Sequence, residues 1–237
     1  MTKILALPVG CIAAVISFTS PRDACRLACV STTFRTAADS DVVWECFLPP
    51  EHSPSLSFWL DHESGKKCYM ISARELIIKD SDIIYAWTWF SVSDANADIK
   101  SHLCIPDCRF SEVIIRGDGC PFEIGGKITA SLLSPMTTYV AYLVIAENRV
   151  DYCPAEVTVE LAGSNNVQNR SVYIHQEQQD GDDDGLYPKM RAGGWLETEL
   201  GEFFNEGDEE DELLITIVSK MKQFLVVEGI EIRPKKE

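Results

Sequence analysis

The apolar residues change period once along the chain, and no other feature limits the fold as strongly. Up to about residue 48 they recur at helical spacing; beyond residue 67 they alternate, or fill short runs bounded by Gly, Pro, Asn and Asp. Helical spacing lays an apolar stripe along a helix, whereas alternation lays it on one face of a strand. Two units are therefore expected, a helical one first and a strand-built one after it.

In the first stretch, Ser20-Pro21-Arg22-Asp23 supplies a capping hydroxyl, a proline at the first helical position and an acid three residues after the cap. Ala24, Leu27, Ala28 and Val30 follow as an apolar face. Ser31 opens a short helix containing Phe34, and Ser40-Asp41 opens another with Val42, Val43, Trp44 and Phe47. The apolar run ending at Phe18 imitates a signal peptide, but Pro8 and Gly10 interrupt it. It is also shorter than the roughly 20 residues of a membrane span. Closely coupled short helices follow it, where a signal peptide would lead into mature protein.

In the second stretch, Val157, Val159 and Leu161 alternate with polar residues, as do Ile230 and Ile232. Tyr139 to Ile145 is apolar on both faces, as in a strand covered on both sides. Further strand-like runs are Val113–Ile115, Phe122–Ile128, Ser171–His175, Trp195–Phe204, Leu213–Val218 and Phe224–Val227. The expected fold class is α+β in two units: a small helical unit followed by an all-β antiparallel sandwich.

Charge follows the same division. The chain carries −16 from 37 acidic and 21 basic residues. Residues 1–50 are neutral, with Lys3, Arg22, Arg26 and Arg35 against Asp23, Asp39, Asp41 and Glu45. Between Glu177 and Glu212, fourteen acids face only Lys189 and Arg191. Nucleic acid and anionic membrane both demand a basic face, so neither is an expected partner. Nine scattered cysteines, an odd number, fit reduced thiols in the cytoplasm or nucleus better than a disulfide framework. Their spacings, with four dispersed histidines, lack the pattern of a zinc site; no metal or cofactor is expected.

Several short motifs are declined. Asp180 to Gly185 matches the opening of a calcium loop, but Arg191 stands where the bidentate glutamate belongs and Pro188 lies inside. Glu206 to Glu212 reads as a solvated acidic loop. Arg116-Gly117-Asp118 and Asn169-Arg170-Ser171 have meaning only outside the cell. HExxH and GxSxG are absent, and no residue pattern suggests an activated nucleophile, so a non-catalytic protein is expected.

Leu7-Pro8, the apolar run through Ile12, Val15 and Ile16, then Pro21-Arg22-Asp23, Leu27, Val30-Ser31, Phe34-Arg35 and Ser40-Asp41 with Trp44 resemble an F-box in order and spacing. That resemblance implies docking on a Skp-type adaptor, and through it a cullin and a ubiquitin-transfer machine. The contacts it implies are Leu7, Pro8, Ile12, Val15, Pro21, Leu27 and Val30. Some of the apolar positions would instead form the small core.

In the second unit, Cys68 to Leu76, Tyr85 to Trp89, Phe122 to Ile128, Leu133 to Val144, Gly194 to Asn205 and Gly229 to Pro234 resemble the phloem-protein-2 or Nictaba-like lectin domain. The implied fold is a jelly-roll sandwich, and the implied ligands are N-acetylglucosamine oligomers and N-glycan cores. The combination resembles the plant F-box phloem-protein-2-like proteins. It divides the chain into an F-box at 1–48, a linker at 49–66 and a lectin-like domain at 67–237. Of two contact tryptophans in the lectin members, the first position here is Asp80 and the second is Trp87. Glu210 and Glu212 match the start of the strand that carries a contact glutamate, whose own counterpart is Ile217. Alternation places Trp87 and Trp89 on one face, which favours the core for at least one of them. The resemblance implies a substrate receptor of a Skp-cullin-F-box ubiquitin ligase that recognises glycoprotein or protein targets. The open alternatives are a free nucleocytoplasmic lectin and a protein-binding scaffold without sugar.

Overall fold

The computed structural model describes residues 7–47, 56–61, 63–83, 86–93, 105–117, 121–146, 154–162, 167–174, 187–208, 210–220 and 224–236. The chain separates into two compact units, Met1–Ser53 and Pro54–Glu237. The declined calcium-loop stretch, Asp180 to Gly185, lies outside the described residues, as do His175 and the first part of the expected linker.

The first unit consists of helices α1 (Val9–Ile16), α2 (Pro21–Ala28), α3 (Thr32–Ala38) and α4 (Asp41–Glu45). Ser20 Oγ accepts from the Asp23 amide at 3.1 Å and donates to its carboxylate at 2.9 Å, so side chain and backbone close the start of α2 together. Ser31 caps α3 by accepting from the Phe34 amide at 3.2 Å. Ile12, Ala13, Ile16, Ala24, Phe34, Ala37, Ala38 and Val43 are buried together, with Leu27, Ala28 and Phe47 half-buried against them. Four of the eight buried residues are alanines, so this core removes little apolar surface from water.

The second unit is a sandwich of two antiparallel sheets. Its strands are β1 (Leu56–Leu60), β2 (Lys67–Ser72), β3 (Ile77–Ile78), β4 (Trp87–Ser91), β5 (Glu112–Arg116), β6 (Phe122–Thr129), β7 (Thr137–Ala146), β8 (Ala155–Ala162), β9 (Val167–Val172), β10 (Lys189–Met190), β11 (Leu196–Asn205), β12 (Glu212–Ser219) and β13 (Leu225–Pro234). The larger sheet runs β1-β2-β13-β7-β11-β10, with β5 also on β13 and β4 on β5; the smaller runs β3-β6-β12-β8-β9. Alternating residues of both sheets, among them Tyr69, Ile124, Leu143, Val157, Leu200, Ile215 and Ile230, fill the space between them.

The larger sheet has a second apolar layer on its outer face. Met70, Val113, Val144, Trp195 and Val226 are buried there with Ile105. Trp195 Nε1 donates to the Asp107 carbonyl at 2.8 Å, and Arg109 lies over the Trp59 ring at 4.2 Å. The segment around Asp107 therefore covers a sheet face, which is why β7 is apolar on both sides.

Three expectations change. Leu56–Leu60, expected within the linker at 49–66, is a strand paired along its length with β2. Leu56 and Phe58 pack on the inner core and Trp59 on the outer one, so tertiary partners organise a patch that looked isolated. The strand expected at Ser171–His175 is instead Val167–Val172, held by pairing from Glu160–Val167 to Ala155–Val172 with β8. The runs Phe224–Val227 and Gly229–Arg233 form one strand, with a bulge between Val227 and Gly229.

At that bulge β13 changes neighbour. Leu225–Val227 pair with β5, and Gly229–Ile232 pair with β2. A Cβ added to Gly229 would lie 2.0 Å from the Ile71 carbonyl oxygen, so only glycine allows this approach. Gly229→Ala is expected to destabilise the sandwich by about 3 kcal/mol or more, read from denaturant unfolding. Glu228, 4% exposed at the same bulge, accepts from the Arg109 amide at 2.6 Å. Burial holds its carboxyl above the ordinary 4.5, against the pull of that hydrogen bond. The folded state therefore binds the Glu228 proton more tightly than the unfolded chain does. That contribution is complete below 4.5 and is lost as pH rises through the folded value. Glu228→Gln, which keeps an acceptor, should raise the melting temperature at neutral pH and flatten its decline above 4.5. An unchanged melting profile would contradict the assignment.

Candidate functional site

On the first unit, apolar residues of α1 and of the segments following α1 and α2 face water. Val15 is 51% exposed, Phe18 91% and Val30 66%, with Leu7, Val9 and Pro8 also exposed. Pro8 caps α1, its carbonyl accepting from Cys11 and Ile12, so Leu7 and Pro8 are held at the head of that helix. Of the contacts expected from the sequence, Leu7, Pro8, Val15 and Val30 lie exposed, while Pro21 and Leu27 are half-buried. Ile12 is corrected: it is 1% exposed and points into the core, because it shares the inner face of α1 with Ala13 and Ile16. Phe18, exposed beside them in sequence, was not among the expected contacts. Its signal was position, three residues beyond Val15 and just past the end of α1, where its amide bonds to the Val15 carbonyl at 3.3 Å.

On the sandwich, the residues expected to bind carbohydrate do not converge. Trp87 is 4% exposed; Nε1 donates to the Lys79 carbonyl at 3.2 Å and the ring meets Phe122 edge-on. It is a core residue, as alternation favoured, and offers no face to a sugar. Asp80 sits nearby in an exposed turn with φ 59°. Glu210 and Glu212 lie at the opposite end of β6. Lys79 bonds to Glu123 near the start of that strand, whereas Glu212 pairs with Thr129 at its end, about 20 Å away at strand spacing. Glu212 is ion-paired to Lys127 at 2.8 Å, and Ile217 is fully buried. Trp89 is half-buried beneath the Arg74 guanidinium at 3.9 Å, which in turn pairs with Glu112. Arg116 of the declined adhesion tripeptide is also buried.

A cavity of about 680 Å³ lies elsewhere, at the end of the larger sheet where the β1–β2 turn meets the ends of β7, β11 and β13. Such a volume is ample for a small ligand. Its apolar surface comes from Met136, 69% exposed at φ 50°, and Phe204, 38% exposed. Glu197, Glu199 and Glu202 precede Phe204 on the outer face of β11, so the aromatic ring breaks a charged row. Asp61, Ser64, Lys66, Lys235 and Lys236 supply the polar wall. Ser64 donates to Asp61 Oδ2 through its hydroxyl at 2.7 Å and its amide at 2.8 Å. Those bonds hold the Asp61 carboxyl below the usual carboxylate range. The arrangement can grip a polar ligand that also presents one apolar face. Nothing in the sequence joined these segments, which come from four separate parts of the chain.

Burial, with the Asp61 and Glu231 charges nearby, pushes the Cys68 thiol up to about 12, far from a nucleophile's range. Among the described residues, no group of three or more His, Cys, Asp or Glu is placed to hold a metal. Nor is any described helix long and apolar enough to cross a membrane. The core position of Trp87 makes a specific prediction. Trp87→Ala should cost about 3–5 kcal/mol of stability in denaturant unfolding. A variant of unchanged stability that loses only ligand binding would reverse the assignment.

The comparisons with known proteins agree with this division. The F-box domain matches residues 4–46, and Phloem protein 2 matches residues 66–234. The putative F-box protein PP2-B12 of Arabidopsis thaliana is 39% identical, over 98% of this chain and 98% of its own length. F-box protein PP2-B10 of the same plant is 34% identical, over 98% of this chain and 94% of its own length. Among solved structures, a family 35 carbohydrate-binding module from Clostridium thermocellum is similar at TM-score 0.39 and 13% identity, covering 70% of this chain and 96% of the module. Aligned from end to end with these plant relatives and matched by both domain families, the chain belongs to the F-box phloem protein 2 family.

Proposed function

We propose that this protein is a substrate receptor: the helical unit docks on a Skp-type adaptor, which links it to a cullin, and the sandwich captures the protein to be ubiquitinated. The observation that carries this reading is the exposure to water of the apolar Val15, Phe18 and Val30 on a unit with so small a core. Exposed apolar area of that kind has its explanation in a partner. The receptor does no bond chemistry; it raises the effective concentration of its target beside the transfer machinery. Cytoplasm and nucleus are the compartments proposed, since both keep thiols such as Cys11 and Cys25 reduced.

Target capture is assigned to the cavity between Asp61 and Phe204. A glycan fits its chemistry, with hydroxyls on Asp61 and the lysines and a CH face on Phe204, and glycoprotein targets follow from that. This places sugar recognition on Phe204 rather than on the buried Trp87.

Val15→Asp combined with Val30→Asp should reduce capture by an immobilised Skp-type adaptor by about thirtyfold or more, since two interface anchors of about 1 kcal/mol or more each are lost. Adaptor binding that survives both substitutions would remove the docking assignment.

A further inference from the structure

The wall of the cavity contains one row of residues that crosses the end of the larger sheet. The Asp61 amide donates to the Lys66 carbonyl at 2.8 Å, one step beyond the β1–β2 register that ends with Leu60 opposite Lys67. β13 sets Ile232 opposite Tyr69, and the same register carried three residues further sets Lys235 opposite Lys66. The Lys235 amide donates to the Thr138 carbonyl at 2.9 Å, and Thr138 lies opposite Phe204. The row therefore reads Asp61, Lys66, Lys235, Thr138 and Phe204, all of which line the cavity. Residues opposite one another in antiparallel strands share a face, so their side chains are neighbours.

Two lysines hold adjacent places in that row, although like charges opposite one another are destabilising. Lys235 turns to the other side, its ammonium on both Glu202 oxygens at 2.7 Å. Asp61 stands next to Lys66, but its Oδ2 accepts from the hydroxyl and amide of Ser64. Among the described residues, none is ion-paired to Lys66, nor to Lys236, which lines the same cavity. The Lys236 charge adds to the Ser64 bonds in holding the Asp61 carboxyl low, which places this lysine at the Lys66 end of the row. The whole chain carries −16, so lysines without a counter-ion are a local exception. A ligand that brings the anion resolves it.

We propose that the cavity selects acidic saccharides: one ring lies on Phe204, Thr138 and Asp61 bond to hydroxyls, and an anionic group on a neighbouring ring pairs with Lys66 and Lys236. Lys66 and Phe204 stand three inter-strand spacings apart, about 14 Å, a length that suits a short oligosaccharide. The selection rests on the capture of glycans at this cavity, as assigned above, and adds to it the charge of the glycan. A uronate carboxylate and a sulfate ester have the required chemistry in common, since both stay ionised at neutral pH and accept several charge-assisted hydrogen bonds. Long polyanions remain disfavoured, because they need an extended basic face that a chain at −16 opposes.

The test is isothermal titration calorimetry of the full chain with a trisaccharide ending in a glucuronate, with its methyl ester, and with the neutral trisaccharide carrying a sulfate ester instead. The acid or the sulfate ester should bind at least about tenfold tighter than the methyl ester, and the tighter of the two identifies the group. Lys66→Gln combined with Lys236→Gln should remove that preference and leave methyl-ester binding unchanged, whereas Phe204→Ala should weaken every one of these ligands. The unaltered chain decides the case if the double variant fails to fold. Raising salt from about 0.05 M to about 0.5 M should then erode the preference and spare the methyl ester. A methyl ester bound as tightly as both anions, with Phe204 still required, overturns the acid selection alone. A preference that survives both lysine substitutions overturns its assignment to this row. Binding of none of the ligands overturns the selection together with the capture of glycans at the cavity.

Discussion

The sandwich depends on one strand having three partners. β13 lies along β7 through most of its length, and its other edge is divided between β5 and β2. The division occurs where the bulge at Glu228 lets the strand turn, and where Gly229 brings its backbone against the Ile71 carbonyl. β1 and β4, two edge strands of the larger sheet, are joined through this point. β1 and the wall of the cavity reach it through β2; β4 and Trp87 reach it through β5. The candidate sites of this unit inherit their positions from a backbone approach that a single methyl group would prevent.

Charge on the outer face of the same sheet shows how burial and electrostatics are reconciled. Glu231 is 2% exposed, although alternation would place it toward water. Arg191 pairs with it at 2.7 Å and Arg233 at 3.2 Å, while Arg233 also grips Glu197 and lies over the Tyr142 ring at 3.9 Å. Without these guanidinium groups an ionised Glu231 would be costly at this depth. The basic residues of this region pair with the sheet's own acids.

The fold was more legible than the site. Helix starts were written locally, in Ser20-Pro21 and Ser31, and the geometry of both caps follows from residues three apart. β7 was legible because burial on both faces leaves no polar alternation. β1 was harder to see: its five residues look like an isolated apolar patch until β2 pairs with them. Trp87 illustrates the limit of matching a tryptophan by spacing alone. The spacing was kept, but its neighbours Phe122 and Lys79 bury the ring. Likewise Asp80 and Glu212 align with one lectin pattern in sequence yet lie at opposite ends of β6.

By itself the sequence determined the two units and their secondary-structure classes, because periodicity, capping and composition are local properties. Tertiary structure alone decided which apolar residues remain exposed and which are covered. It buried Ile12 and left Phe18 in water, enclosed Trp87, merged two runs into β13 and assembled a cavity from four separate segments. The reason is physical: exposure and convergence depend on what packs across the chain, and sequence neighbours do not specify that.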